Sequence, residues 1–258
     1  MAEGGIQGLL EGCISHIISF TSPADACRLA AVSQIFRSAA VSDSVWDRFL
    51  PPDISEIVSR AVHPVEYFSK KDLFFRLCRS ILVDGGAKSF ALERSSGKKC
   101  FLLSARELTI IWGDTPHYWD WISVPGSRFS EVARLLDVCW LEIRGKIECG
   151  MLSQKTSYAA HLIFKITEET YGLGFPQQAS VKLGDSTSEK TVCLHPDQPQ
   201  QRPWWRGPLQ WPLAPIEIGR FFCDDGDDGE AMFAVTETRG GHWKRGLLVE
   251  GIEVRPAS

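Results

Sequence analysis

Four large aromatic side chains crowd one ten-residue stretch of this 258-residue chain. The stretch runs from Trp112 to Trp121 and reads WGDTPHYWDW, with a proline at its centre. Aromatic faces exposed on a loop can pack against the C–H groups of a sugar ring, while nearby carboxylates and amides bind its hydroxyls. These residue types are therefore compatible with a carbohydrate-binding loop. Taken alone, they favour the other interpretation, in which tryptophans beside a turn are partly buried plugs at the end of a β-sandwich.

Other candidate chemistries receive less support from the sequence. The acidic run 224–230 resembles a calcium loop, but no glutamate stands at the twelfth position from a first aspartate, so we favour an acidic hairpin turn. The eight cysteines are scattered singly and show no zinc spacing. The four histidines from residue 117 onward stand without a nucleophile motif such as Gly-x-Ser-x-Gly. We therefore expect no catalytic residue, no metal and no cofactor.

The overall composition limits which classes of partner the chain is expected to bind. The net charge is -4, from 28 basic and 32 acidic residues, which argues against a nucleic-acid groove. Residues 1–7 contain no signal-peptide pattern, and no apolar run reaches the length of a membrane helix. We expect a cytoplasmic or nuclear protein, or one found in both, with no membrane partner.

The elements that open the chain are helical. Ile14, Ile17 and Ile18 recur at the spacing of one helix face. Ser22 and Pro23 predict the start of a second helix, since serine caps the first turn and proline needs no amide donor there. A third helix is predicted around residues 35–36 and a fourth start at 42–43. About forty residues cannot bury this much apolar surface alone, so part of it should meet another chain or domain.

Two further predicted helices follow, and after them the spacing of apolar residues changes from that of helices to that of strands. Capping residues at 53 and 69 predict helices that form a connector over residues 51–87. From residue 88 onward, short alternating runs separated by Gly and Pro favour an antiparallel sandwich over 88–258. The fold class is therefore predicted as α+β. Residues 196–215 form a loop rich in Pro and Trp, which excludes a central strand there.

The opening helices carry a specific pattern. From Leu9 through Ile14, Ile17-Ile18-Ser19-Phe20 and Phe36-Arg37 to Trp46, the chain resembles the F-box family. F-boxes dock on a Skp-type adaptor of cullin-RING ubiquitin ligases, and the resemblance implies that role for residues 1–50. The adaptor-binding residues expected from it are Leu9, Ile14, Ile17, Ile18, Leu29, Val32 and Phe36.

The second half is similar to another family. The aromatic stretch, the run WLEIRGKI from Trp140 and the close GHWKRG from Gly241 resemble phloem-protein-2-like, or Nictaba-like, lectins. That resemblance implies a jelly-roll-like sandwich and binding of N-acetylglucosamine oligomers or N-glycan cores. It assigns Trp112 and Trp119 as stacking platforms and Glu230 as an acceptor for a hydroxyl or acetamide group.

Together the two resemblances imply a substrate receptor of an SCF-type ubiquitin ligase, with catalysis left to its partners. The targets would be glycoproteins recognised through N-glycan cores. Two alternatives stay open: the sandwich binds protein surfaces without sugar, or the protein is a lectin whose F-box is inert.

Overall fold

The computed structural model describes residues 11–195, 214–226 and 229–257. These residues divide into two compact units. The helical unit holds residues 11–85 and 90–100, and the sandwich unit holds the remaining described residues. Helices precede strands along the chain, which confirms the predicted α+β class.

Six α-helices lie in the described part of the helical unit: α1 (Glu11–Ile18), α2 (Pro23–Leu29), α3 (Gln34–Ala40), α4 (Asp43–Phe49), α5 (Ile54–Ser59) and α6 (Lys70–Leu77). Trp46 of α4 forms the centre of their core. It is fully buried, and its indole Nε1 donates to the Ala40 carbonyl at 2.7 Å. Its ring also packs at 5.2 Å from Phe74, so the α4 tryptophan joins α6 to the first four helices.

The second connector helix ends earlier than predicted. The apolar stripe from Leu73 to Leu82 suggested one helix, but α6 stops at Leu77 and Ile81 begins a short strand. The backbone amide of Val62 donates to the carbonyl of Leu82, which lies in this strand, at 2.9 Å. A tertiary hydrogen bond has therefore overridden a helical pattern that residues 81 and 82 could have continued.

Thirteen strands occur among the described residues: β1 (Ile81–Val83), β2 (Lys88–Leu92), β3 (Lys99–Ser104), β4 (Thr109–Ile110), β5 (Trp119–Ile122), β6 (Val132–Leu135), β7 (Leu141–Glu148), β8 (Thr156–Tyr171), β9 (Gln177–Leu183), β10 (Ser186–Val192), β11 (Ala214–Cys223), β12 (Glu230–Glu237) and β13 (Arg245–Pro256). The predicted hairpin over 89–103 is confirmed as β2 and β3, closed by the bond from Glu93 N to Lys98 O. Strands β1, β5, β6 and β11 were not predicted.

Two antiparallel sheets build the sandwich unit. In the first, β13 pairs with β8 on one side and with β3 and β6 on the other, while β5 extends β6 and β11 extends β8. The second has the order β10-β9-β12-β7-β4. The predicted loop 196–215 lies mostly outside the described residues, although Pro215 already pairs in β11 opposite Ile163.

The core lies between the two sheets, and at two glycines a side chain of the opposite sheet comes close to the backbone. A Cβ on Gly145 of β7 would lie 3.0 Å from Ile252 Cδ1 of β13. A Cβ on Gly219 of β11 would lie 2.8 Å from Val181 Cγ2 of β9. Each glycine thus lets a strand of one sheet approach a side chain of the other.

Candidate functional site

Serine caps position the helices that carry the predicted adaptor residues. Ser22 accepts the Asp25 amide at 3.1 Å, and Pro23 occupies the first turn of α2, both as predicted. Ser33 accepts the Phe36 amide at 3.3 Å at the start of α3. The Ser15 hydroxyl donates to the Ala39 carbonyl at 3.2 Å, which holds α1 against α3.

Helix α1 divides the three isoleucines that its sequence places together. Ile17 is 56% exposed, whereas Ile14 and Ile18 are 2% and 0% exposed. The expectation that Ile14 and Ile18 contact an adaptor is therefore corrected, since their side chains form the core of the helical unit. The reason is that α1 packs against α2, α3 and α4, so the face toward those helices is covered.

The other predicted adaptor residues differ in their exposure. Val32 is 66% exposed, while Leu29 and Phe36 are half-buried. Leu9 lies outside the described residues. Five exposed apolar side chains between residues 17 and 41 form what we call the apolar set: Ile17, Phe20, Val32, Ile35 and Val41.

Sequence reasoning did not assign Phe20, Ile35 or Val41 to binding. A signal was available for Phe20, because it follows the last residue of α1 by two positions and so lies beyond the packed helix. The guanidinium of Arg48 lies 4.1 Å from the Phe20 ring centroid, so a cation covers part of this aromatic face. For Ile35 and Val41, only the packing of α3 decides which side is open.

The aromatic stretch of the sandwich unit forms a tight loop between β4 and β5. Trp112 has a φ of 60°, in the left-handed region that is uncommon for bulky residues. Two bonds hold this conformation: the Gly113 amide donates to Ile110 O at 2.9 Å, and the Trp121 indole donates to Gly113 O at 3.0 Å. The Trp112 ring is 41% exposed and lies 5.1 Å from the Tyr118 ring. Backbone strain at an exposed aromatic residue is typical of a functional loop.

Trp119 does not share this surface. It is 2% exposed, and its indole nitrogen has no hydrogen-bond partner within the described part of the chain. A stacking platform must present a ring face to solvent, so the stacking role expected for Trp119 is corrected to one in the core. The plug interpretation applies to this tryptophan, and the exposed-loop interpretation applies to Trp112.

Glu230 is remote from the Trp112 loop. Its carboxylate pairs with Lys146 Nζ at 2.9 Å and raises the pKa of that lysine by hydrogen bonding. Glu230 lies opposite Glu148 at one end of β7, whereas Ile111 donates its amide to Glu142 O at the other end. Six residues of strand separate the two positions by roughly 20 Å. The structure therefore does not bring Glu230 to Trp112, contrary to the expected three-residue site.

A different carboxylate lies beside the loop. Glu142 is mostly buried and accepts the Trp140 indole N–H at 2.8 Å, while Arg144 pairs with it at 2.5 Å. The Trp140 ring is half-exposed. The alternation of β7 could have identified this cluster, because residues 142, 144, 146 and 148 lie on one side of the strand, opposite the buried residues 141, 143, 145 and 147.

Two arginines fix the strands that border the loop. Arg106 lies 3.6 Å from the Trp121 ring centroid and pairs with Glu131 at 2.7 Å. Arg134 of β6 pairs in a bidentate manner with Asp120 of β5. These contacts anchor β5, the strand that follows the Trp112 loop, so one end of the loop is attached to a preorganised element.

The described residues contain no group of three His, Cys, Asp or Glu side chains that could hold a metal ion. Part of the acidic run 224–230 lies outside them. No disulfide joins the eight cysteines. In the part of the chain that the structure describes, no helix is long and apolar enough to span a membrane.

A helical N-terminal unit followed by an antiparallel sandwich places the chain among α+β proteins with two structural units. The family model described as phloem protein 2 matches residues 98–256. Three similar proteins of Arabidopsis thaliana are F-box protein PP2-B10 (43% identical over 96% of this chain and 92% of that one), F-box protein PP2-B1 (40%, over 97% and 89%) and F-box protein VBF (37%, over 96% and 98%). The chain therefore belongs to the phloem protein 2 family, among its plant F-box proteins.

Among solved structures, the one titled TmCBM61 in complex with beta-1,4-galactotriose aligns with a TM-score of 0.32 and 10% identity. It covers 58% of this chain and 87% of that one, and a score at this level carries no argument about function.

Proposed function

We propose that this protein is the substrate-recognition subunit of an SCF-type ubiquitin ligase. The helical unit docks on a Skp-type adaptor, and the sandwich unit selects target proteins that carry N-acetylglucosamine-containing glycans. The ligase core supplies the catalysis, so the chain itself contributes binding alone. The names of its F-box relatives support the adaptor role.

The observation that carries this proposal is the apolar set. Helices α1 and α3 expose Ile17 and Ile35, and the segments that follow α2 and α3 expose Val32 and Val41, with Ile17 and Val32 each more than half exposed. Clustered apolar side chains on a surface commonly mark a protein-protein interface. Such interfaces derive most of their energy from a few apolar or aromatic anchors that become fully desolvated. A Skp-type adaptor that covers the set would desolvate it.

The glycan part of the proposal is supported by Trp112. Its exposed ring can stack on the C–H face of a pyranose, and Glu142 and Trp140 lie at the adjoining end of β7. One observation favours a second candidate, in which the sandwich binds a protein surface. Exposed Trp, Tyr and Phe side chains occur at several other positions of the unit, and these residue types are enriched in protein interfaces.

The adaptor role is tested by co-purifying the full-length chain with a Skp-type adaptor. We expect Ile17→Asp to abolish the complex, because docking would bury an unpaired carboxylate. Phe68→Asp is the matched control, since Phe68 is 94% exposed in the same unit but lies outside the apolar set. Equal binding by both variants would reject this docking surface, provided that circular dichroism shows both to be folded.

A glycan array of the full-length chain separates the two roles of the sandwich. We expect binding to N-acetylglucosamine oligomers that Trp112→Ala removes and Phe222→Ala retains, because Phe222 is an exposed aromatic residue on β11. Wild-type protein that binds no glycan above background would reject sugar recognition and leave the protein-surface alternative.

A further inference from the structure

A polar pocket of about 490 Å³ opens on the outer face of the second sheet. We call it the distal pocket. Strands β10, β9 and β12 line it with side chains that carry hydroxyl, amide and charged groups: Gln178, Ser180, Glu189, Thr236, Glu237 and Arg239. Its volume falls within the usual range of small-molecule sites.

Two charged side chains in the distal pocket have no ion-pair partner among the described residues. Glu189 of β10 and Arg239, just beyond β12, are both exposed, and neither forms a salt bridge with another described residue. Most other charged side chains near this sheet are paired, for example Lys146 with Glu230 and Lys190 with Glu217. The pocket therefore keeps one acceptor and one donor available for a ligand.

A buried ion pair fixes one wall of the distal pocket. The Glu237 carboxylate pairs with Lys244, which is fully buried, and its Oε1 accepts the Gly240 amide at 3.1 Å. Lys244 Nζ also donates to His242 O at 2.6 Å, so the turn over 237–242 is held at both ends. A buried pair of this kind contributes little net stability, because desolvation offsets the attraction. Its clearer effect is to hold the wall in one position.

An aromatic pair stands beside that wall. The rings of Phe175 and His242 stack with centroids 3.9 Å apart and an interplanar angle of 5°. Phe175 is half-exposed and immediately precedes Pro176, which lines the pocket. The pocket thus combines apolar ring surfaces at its edge with polar groups inside.

The register of the sheet connects the distal pocket to the Trp112 loop. Thr191 of β10 lies opposite Gln178, Gln178 opposite Thr236, and Thr236 opposite Glu142. Ile111 then donates its amide to Glu142 O, one residue before Trp112. Cross-strand partners point to the same face, so one polar row crosses the sheet from the pocket to the loop. Four strand spacings make its length roughly 20 Å.

The mixture of charged and polar groups in the distal pocket limits which class of ligand could bind there. Glu237 is neutralised by Lys244, so the unpaired charges are one carboxylate, Glu189, and one guanidinium, Arg239, which together do not favour a simple anion or a simple cation. An apolar ligand would leave the pocket's polar groups without partners. Sugar hydroxyls both donate and accept, so they can satisfy carboxylate, guanidinium, amide and hydroxyl groups together. We propose that the distal pocket is a second saccharide-binding subsite, joined by the polar row to the Trp112 loop, so that one oligosaccharide occupies both.

This inference rests on the proposed glycan binding at Trp112, and its test uses ligand length. Isothermal titration calorimetry of the full-length protein is done with N-acetylglucosamine oligomers of increasing length, from the monomer to the pentamer. We expect wild-type affinity to rise with length. Thr236→Val and Arg239→Ala should lower affinity for the longest oligomers by about three- to tenfold, the effect of one hydrogen bond, and leave the shortest ones unchanged.

Matched controls lie on the same sheet outside the distal pocket. Thr187→Val removes a hydroxyl, as Thr236→Val does, and Lys182→Ala removes a positive charge, as Arg239→Ala does. Both lie at exposed positions of β10 and β9 and should alter no affinity. Amide shifts in nuclear magnetic resonance spectra should appear at Gln178 and Thr236 with the pentamer, together with shifts in residues 112–118.

The outcomes separate the two proposals. If Trp112→Ala abolishes binding while the pocket variants match wild type at every length, the distal pocket is rejected and glycan binding at the loop stands. If the pentamer shifts amide resonances only in residues 112–118, the distal pocket is likewise rejected and glycan binding at the loop stands. Wild-type protein that binds no oligomer overturns the glycan role itself, and the second subsite with it.

Discussion

The helical unit exposes branched aliphatic side chains as well as the aromatic Phe20, Tyr67 and Phe68, whereas the described part of the sandwich unit exposes mainly aromatic ones. The large hydrophobic side chains exposed in the helical unit include five branched aliphatics: Ile17, Val32, Ile35, Val41 and Val62. Those exposed in the described part of the sandwich unit are aromatic except for Met232. Aliphatic groups have no polar edge and gain only from being covered by other apolar groups, whereas aromatic rings also stack on sugar and peptide surfaces.

This difference fits the two modes of recognition that we propose for the chain. The exposed aliphatics of α1 to α3 suit a protein partner that desolvates them. The Trp112 ring, with Glu142 and the polar row nearby, suits a ligand that is part apolar and part hydroxylated. Each unit also pairs an exposed residue with a buried neighbour of the same type, which allows stability and binding to be tested separately.

The largest effect is expected in the sandwich unit. Trp119→Ala should lower the free energy of unfolding by about 3–5 kcal/mol, since it leaves a cavity where a buried indole was. Trp112→Ala should leave stability nearly unchanged, because that ring is exposed. Urea unfolding followed by circular dichroism measures both variants. Equal losses of stability would show that Trp112 is a core residue and does not belong to an exposed aromatic surface.

The equivalent pair in the helical unit is Ile18 and Ile17. Ile18→Ala should cost about 2–5 kcal/mol, because its side chain is fully buried, and Ile17→Ala less than about 0.5 kcal/mol. Thermal unfolding of the full chain gives the difference. Adaptor affinity should follow the opposite order among folded proteins, with Ile17→Ala weakening the complex. A stable Ile17→Ala protein that binds normally would place the interface elsewhere.

A smaller loss is expected where the two sheets meet. Gly145→Val should destabilise the sandwich by about 1–3 kcal/mol, because its Cβ would lie 2.9 Å from Leu108 Cδ2 and 3.0 Å from Ile252 Cδ1. Gly150→Val is a suitable control, since nothing lies within 4 Å of a Cβ there. Chemical denaturation compares the two. A tolerated Gly145→Val would mean that the sheets can separate without loss.

The smallest effect concerns His161 of β8. Burial lowers the pKa of His161 from its ordinary value of 6.5, and the Arg255 charge adds to the shift, against Glu253 and Glu217. The unfolded chain therefore binds a proton below about pH 6.5 that the folded chain does not yet bind. The free energy of unfolding should fall as pH decreases from there, by at most about 1.4 kcal/mol per pH unit, and should show no contribution above it.

Replacing His161 tests this dependence. His161→Gln should remove that part of the pH profile when urea unfolding is measured between about pH 5 and 8. A variant with the wild-type profile would show that another group titrates. Adaptor binding should not change in either protein, since His161 belongs to the sandwich unit.

Local chemistry made several elements predictable. Ser22 and Pro23 define the start of α2 through short-range bonds that any context would allow. The β2–β3 hairpin follows from alternation on either side of a turn that holds Gly97. Strands β5 and β6 could not be found in this way, because β5 begins inside the aromatic stretch and both depend on pairing with each other.

The sequence by itself determined the α+β class, the order of the two units and the family, since periodicity, caps and ordered residue identities are local properties of the chain. Only the tertiary structure decided which side of each element is open. Neighbouring isoleucines at 17 and 18, and tryptophans at 112 and 119, have the same chemistry but opposite burial. Burial depends on what packs against a residue from distant parts of the chain, and neither residue type nor spacing encodes that contact.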